Sequence, residues 1–311
     1  MQMLAVFQYP FIQNAFLAGS LVAITTGILG YFLVVRGLTF AGHALSNIGF
    51  AGAAGAVLLG VPPVIGLLAA TVGAGLAISV LGREIRERDV AIGVIMTFAL
   101  GLGILFLSLY HGYAEQAYSI LFGTIVGINR SDVWVTAGLS AGLITIMALV
   151  GRPLLFSSFD PELAEARGLP VRLLGSLFLV LVAVTVSIAM QVIGVLLVFA
   201  LLVGPPATAI RLVRRPASAI GLSIILGLVY TWLGILLAAN STWPVSFYIT
   251  TLAFGIYLPV RYLSKYRMER NIPGDRASAR SATAESIQAE NISNMRSSPD
   301  SASSMKGERH A

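Results

Sequence analysis

His43 and Asn47 lie four residues apart, so on a helix they share one face, with Ser46 beside them. Gly42, Gly49, Gly52 and Gly55 surround the pair and allow a neighbouring helix to approach closely. A polar face on a membrane-crossing helix points to the bundle interior or to a cavity. A neutral imidazole is a good ligand for borderline metal ions, and a carboxamide oxygen is a weaker one. His43 and Asn47 are therefore the candidate metal ligands of a translocation path. An interhelical hydrogen bond from His43 to a carbonyl explains the histidine equally well.

A second segment is written for contact rather than for coordination. Around Phe159, Asp160 suits a helix N-cap and Pro161 the first helical position. Glu162 and Glu165 stand toward the positive end of the helix dipole and Arg167 near its negative end. Gly168 fits the position just past the helix, and Pro170 prevents continuation. The pattern predicts a helix of about two turns, too short to be stable alone in water, so it must dock on something. Its two candidate seats are its own protein and a groove in a cytoplasmic partner.

Gly204, Pro205 and Pro206 form a third feature. Two prolines remove two backbone donors and are expected to kink or break the helix there. Broken helices often line transport paths, although a kink near the membrane surface accounts for the prolines as well. Gln191 reads as a polar residue at an outer turn. The run Arg83-Glu84-Ile85-Arg86-Glu87-Arg88-Asp89 is charge-balanced and reads as a solvated loop. His111, Tyr113 and Glu115 read as an interfacial belt that could also receive a metal ion.

These features need a membrane to act in, and the composition supplies it. The chain of 311 residues is 57% hydrophobic and 11% charged, where soluble domains carry about 25% charge. Mean hydropathy is +0.86. There are no cysteines, which removes disulfides and thiolate metal sites. Residues 1–265 hold 13 Lys/Arg and 8 Asp/Glu, gathered in clusters between long uncharged stretches. A helix needs roughly 20 apolar residues to cross the hydrocarbon core. The uncharged stretches accommodate about nine such spans, with eight or ten as the bounds. Breaks are expected at 60–63, near Met190-Gln191 and at 240–244. Residues 116–128 are apolar but too short to cross, which suggests a re-entrant element.

Four basic clusters, Arg83/Arg86/Arg88, Arg152/Arg167/Arg172, Arg211/Arg214/Arg215 and Arg261/Lys265/Arg267, fall on one side under the nine-span count. The N-terminus is then outside and the C-terminus cytoplasmic. The sequence thus predicts an all-α polytopic bundle over 1–265. The tail 266–311 has few large apolar residues and reads as disordered and cytoplasmic. The N-terminus lacks the basic region and cleavage site of a signal peptide.

The chemistry excluded is equally informative. No G-x-x-x-x-G-K-[ST] occurs, and lysine stands only at 265 and 306, so any ATP that drives the protein is hydrolysed by another chain. No H-E-x-x-H occurs. No Asp or Glu lies inside an expected span, which argues against a proton-coupled carrier working alone. A membrane enzyme is a more distant alternative.

At these motifs the chain resembles the permease subunits of bacterial zinc/manganese/iron ABC importers, the ABC-3 type metal permeases. The resemblance runs from about residue 14 to 262. It rests on Arg-x-Leu-x-Phe-x-Gly-x-x-Leu-Ser at 36–46, Phe-Asp-Pro-Glu…Gly-Leu-Pro at 159–170 and Gly-Val-Leu-Leu-Val…Pro-x-Ala-Thr-Ala at 194–209, in the family's order. It implies a pair of permeases with the path at their interface. It also implies two cytosolic ABC ATPase subunits seated on 159–170, an extracytoplasmic metal-binding protein, and no cofactor in this chain. The family commonly carries Gly-Asp-x-Leu-x-His where this chain has His43 and Asn47. The carboxylate is gone and the imidazole has changed position, which leans away from manganese toward zinc or another nitrogen-preferring ion. The same departure leaves room for a chelated or non-metal solute.

Overall fold

The structure is a computed structural model that describes residues 10–80, 85–110, 128–241 and 243–270. Among the described residues ten helices follow one another: α1 (Pro10–Val35), α2 (Thr39–Leu58), α3 (Pro63–Val80), α4 (Ile85–Leu109), α5 (Arg130–Phe159), α6 (Pro161–Ala166), α7 (Val171–Ile193), α8 (Val195–Leu212), α9 (Pro216–Ala239) and α10 (Val245–Arg270). No strand occurs among the described residues. One compact unit ends at Arg261.

The all-helical bundle is as the sequence predicts. Six of the described helices are long and apolar enough to cross a membrane: α1, α3, α4, α5, α7 and α9. A shorter apolar stretch, Leu197–Leu212, lies in α8. The chain is a multi-pass membrane protein.

Burial sorts the helices into a centre and a rim. α1 packs against α9, α8, α5 and α7, and α2 packs against α3, α4 and α8. α1, α2 and α7 are buried along most of their length, with Leu33, Leu45 and Phe178 fully enclosed. α3, α4, α5 and α9 expose apolar side chains such as Val94, Phe98, Trp134, Leu149 and Ile225. A water-soluble monomer would not carry so much exposed apolar surface, whereas lipid or a second subunit covers it.

Inside the bundle, hydroxyls satisfy themselves on the preceding turn, as Thr26 Oγ1 does on the Val22 carbonyl at 2.7 Å. A few cross-links join helices. Thr71 and Ser187 share a 2.6 Å hydrogen bond between α3 and α7, and Ser223 Oγ donates to the Gly27 carbonyl at 3.1 Å between α9 and α1. Gly52 and Gly66 meet backbone to backbone where α2 crosses α3, and neither has room for a Cβ.

Three boundaries differ from expectation. The turn expected near Met190-Gln191 lies at Gly194, whose φ of +81° stops α7 at Ile193. α8 runs without interruption from Val195 to Leu212 with Pro205 and Pro206 inside it, so the chain is not broken at Gly204-Pro205-Pro206. Finally, α5 continues through Arg152 and Pro153 to Phe159, although Arg152 belongs to a basic cluster expected beyond the spans on one side of the membrane. At 30 residues α5 is about 45 Å long and outreaches a hydrocarbon core of about 30 Å. Residues 116–127, His111, Tyr113, Glu115 and the tail from 271 lie outside the described residues.

Candidate functional site

α2 begins after a tight turn at Arg36-Gly37-Leu38. There Gly37 N–H donates to the Val34 carbonyl at 3.1 Å and Leu38 N–H to that of Leu33 at 2.9 Å. One turn into α2, His43 and Asn47 stack on one face, as the spacing predicts. Asn47 Nδ2 lies 3.0 Å from the His43 carbonyl oxygen and 3.3 Å from its Nε2. Both residues are half-buried. Phe199 of α8 meets the imidazole edge to face, with ring centroids 4.8 Å apart. The proline-bearing helix is thus brought to the same place as the histidine.

Met96 of α4 completes the cluster, with its sulfur 3.6 Å from Asn47 Nδ2. Sequence reasoning missed it. Met96 lies in an unremarkable apolar run, and only the packing of α4 on α2 delivers it. The donors gathered here are an imidazole, a carboxamide and a thioether. Among the described residues no group of three His, Asp or Glu stands close enough to hold a metal ion. His43 Nδ1 is buried and has no hydrogen-bond partner. Leaving such a group unsatisfied costs about 1–3 kcal/mol, and the cost is recovered when a ligand or a second conformation supplies the partner.

The segment at 159–168 forms as its residues dictate. Asp160 Oδ1 accepts from Leu163 N–H at 2.9 Å, Pro161 opens α6, and Glu162 stands in the first turn. The helix ends at Gly168, with φ +79°. There Gly168 N–H donates to the Glu165 carbonyl at 2.9 Å and Leu169 N–H to that of Ala164 at 3.1 Å. This is the same pair of bonds that ends α1. Ala164 is fully buried against the rest of the protein, whereas Phe159 is 64% exposed and Leu163 43% exposed. α6 therefore buries Ala164 on its own chain and exposes Leu163, while Phe159 is exposed at the adjoining end of α5.

Ser140 deserves comparison with a nucleophile because Gly138-Leu139-Ser140-Ala141-Gly142 has the Gly-x-Ser-x-Gly spacing. The spacing acts only on a strained strand-to-helix turn that exposes the hydroxyl. Here it lies in the middle of α5, and Ser140 is fully buried.

The sequence pattern of the ABC 3 transport family matches residues 8–264, which include the α2 cluster, α6 and the prolines of α8. The chain belongs to the ABC 3 transport family.

Named relatives agree. The chain is 35% identical over 228 residues to the manganese transport system membrane protein MntC of Halalkalibacterium halodurans, covering 73% of this chain and 78% of that protein. It is 30% identical over 265 residues to the manganese import system permease protein ScaB of Streptococcus gordonii, covering 83% and 95%. Among solved structures, PsaBC from Streptococcus pneumoniae in complex with Fab superposes with a TM-score of 0.75 at 30% identity, covering 83% of this chain and 94% of that one. A putative metal-chelate type ABC transporter in an inward-facing conformation superposes at 0.68 with 15% identity, covering 83% and 90%, and shares the fold. As a family member the chain is a membrane protein of an ABC transport system, and the named relatives are membrane proteins of manganese transport systems.

Proposed function

We propose that this permease imports a divalent transition metal ion, zinc, manganese or iron, by alternating access. The driving ATP is hydrolysed by two cytosolic subunits seated on Phe159, Asp160, Pro161, Glu162, Glu165 and Gly168. The family match across 8–264 carries this reading, and α6 supports it with a capped helix whose Leu163 is exposed near Phe159 at the end of α5. An extracytoplasmic metal-binding protein delivers the ion. A second permease copy covers part of the apolar rim and completes the path. The remaining long helices α2, α8 and α10 cross with the six apolar ones, giving nine spans, an outer N-terminus and a cytoplasmic C-terminus in a bacterial inner membrane.

In the path, His43 is the principal ligand. The Asn47 amide presents its oxygen after a half-turn, and the Met96 sulfur lies alongside. Relatives named for manganese supply the prior for a first-row metal. A nitrogen, amide and thioether set without a carboxylate favours zinc over manganese. The same lack of a carboxylate supports a second reading, a chelated or non-metal solute that needs no direct ligands.

Uptake of 65Zn and 54Mn by the reconstituted permease with its ATPase and binding protein tests the proposal. ATP-dependent accumulation that His43→Ala abolishes is expected. Accumulation unaffected by that substitution would remove His43 from the path.

A further inference from the structure

Two arginines reach the last turn of α5 from different elements. Arg36, in the turn between α1 and α2, places Nη2 3.5 Å from Ser157 Oγ and its guanidinium carbon 5.5 Å from the ring centroid of Phe178 on α7. Arg167, which ends α6, lies 5.2 Å from the ring centroid of Phe156. Phe156 and Ser157 are successive residues of α5, and α6 follows within four residues. Each arginine precedes a glycine of positive φ, Gly37 at +66° and Gly168 at +79°, in turns closed by the same bonds.

Among the described residues no carboxylate pairs with Arg36. Its contacts are a hydroxyl and a phenyl ring, and Nη1 is buried with no partner. Burial pushes its pKa below the ordinary arginine value. What keeps a cation there is position. It follows the carboxyl end of α1 and touches the carboxyl-terminal turn of α5, two negative dipole ends. The aromatic face of Phe178 adds a cation–π attraction. A buried guanidinium gripping two helix ends transmits a displacement of one to the other more stiffly than an apolar contact, because sliding would strand its charge.

We propose that Arg36 is the positioning residue through which movement of α6 reaches the path. The route runs from α6 through Phe156 and Ser157 to Arg36, then across the Gly37 turn into α2, where His43 lies seven residues further on. The proposal rests on the reading of α6 as the ATPase seat and of α2 as a path helix.

The test measures ATP hydrolysis and metal uptake in the same proteoliposomes holding permease, ATPase and binding protein. Arg36→Gln keeps hydrolysis within about twofold while ions moved per ATP fall roughly tenfold, and Arg36→Lys restores part of the ratio. Ser157→Ala, which removes one hydroxyl and no packing volume, lowers the ratio severalfold, and the double variant falls less than the two singles combined. If Arg36→Gln does not assemble, Ser157→Ala alone decides. A normal ratio in Arg36→Gln or in Ser157→Ala, with only melting temperature lowered, overturns the proposal. Failure of the wild-type complex to couple uptake to ATP would instead overturn the importer reading beneath it.

Discussion

Gly30 of α1 packs directly against the carbonyl of Leu202 in α8, and that carbonyl is the one Pro206 leaves without an intrahelical donor. The prolines therefore mark a helix contact rather than a chain break. A Cβ at Gly30 would collide with the Leu202 oxygen and lie 2.8 Å from Pro206 Cγ. Backbone cannot yield as a side chain can, so Gly30→Ala is expected to cost about 1–3 kcal/mol. Gly73→Ala in α3, where nothing lies within 4 Å, is expected to be neutral or to stabilise by up to about 1 kcal/mol. Thermal unfolding of the two purified variants side by side checks the contrast.

The α6 caps predict a graded loss of docking. Asp160→Ala removes the bond to Leu163 N–H and is expected to destabilise the short helix by about 1 kcal/mol. Gly168→Ala forces a Cβ into a positive-φ turn and is expected to cost a further ~1–2 kcal/mol locally. Both variants should retain less ATPase in co-purification while the melting temperature of the bundle stays unchanged. A full yield of complex from the double variant would detach α6 from the docking role.

Phe159 and Leu163 predict the docking contact itself. Both are large, apolar and exposed on α6 or its edge. Leu163→Asp should abolish co-purification of the ATPase at a smaller cost in permease stability, because 43% of the side chain is already exposed.

Met96 predicts selectivity. Met96→Leu keeps the volume and removes the sulfur donor. Uptake of zinc is expected to fall several-fold relative to manganese, about the scale of one weak ligand. An unchanged zinc-to-manganese ratio would place Met96 outside the path and leave its contact with Asn47 as packing.

What the sequence revealed and what it concealed divide by range. Asp160, Pro161 and Gly168 act within one short helix, so their residue types alone predict a cap, a start and a stop, and the structure has all three. The His43–Asn47 stack is likewise a one-turn relationship. The end of α7 was placed too early because Gln191 is polar, yet it stands in the final turn, and the chain turns where Gly194 can adopt positive φ. Met96, Phe199 and the Arg36–Ser157 contact join residues 49 to 156 positions apart, and no local pattern announces them. The prolines at 205 and 206 were read through their local effect, a lost donor. Their neighbour Gly30, 176 residues before Pro206, packs on the carbonyl they free, a contact no local pattern shows.

On the proposed function, this bundle moves a metal ion only when another chain hydrolyses ATP. The most direct measurement is 65Zn accumulation in vesicles holding the permease and its binding protein, with and without the ATPase and ATP. Uptake above the external concentration is expected only when ATPase and ATP are both present. Uphill uptake by the permease without the ATPase would contradict it.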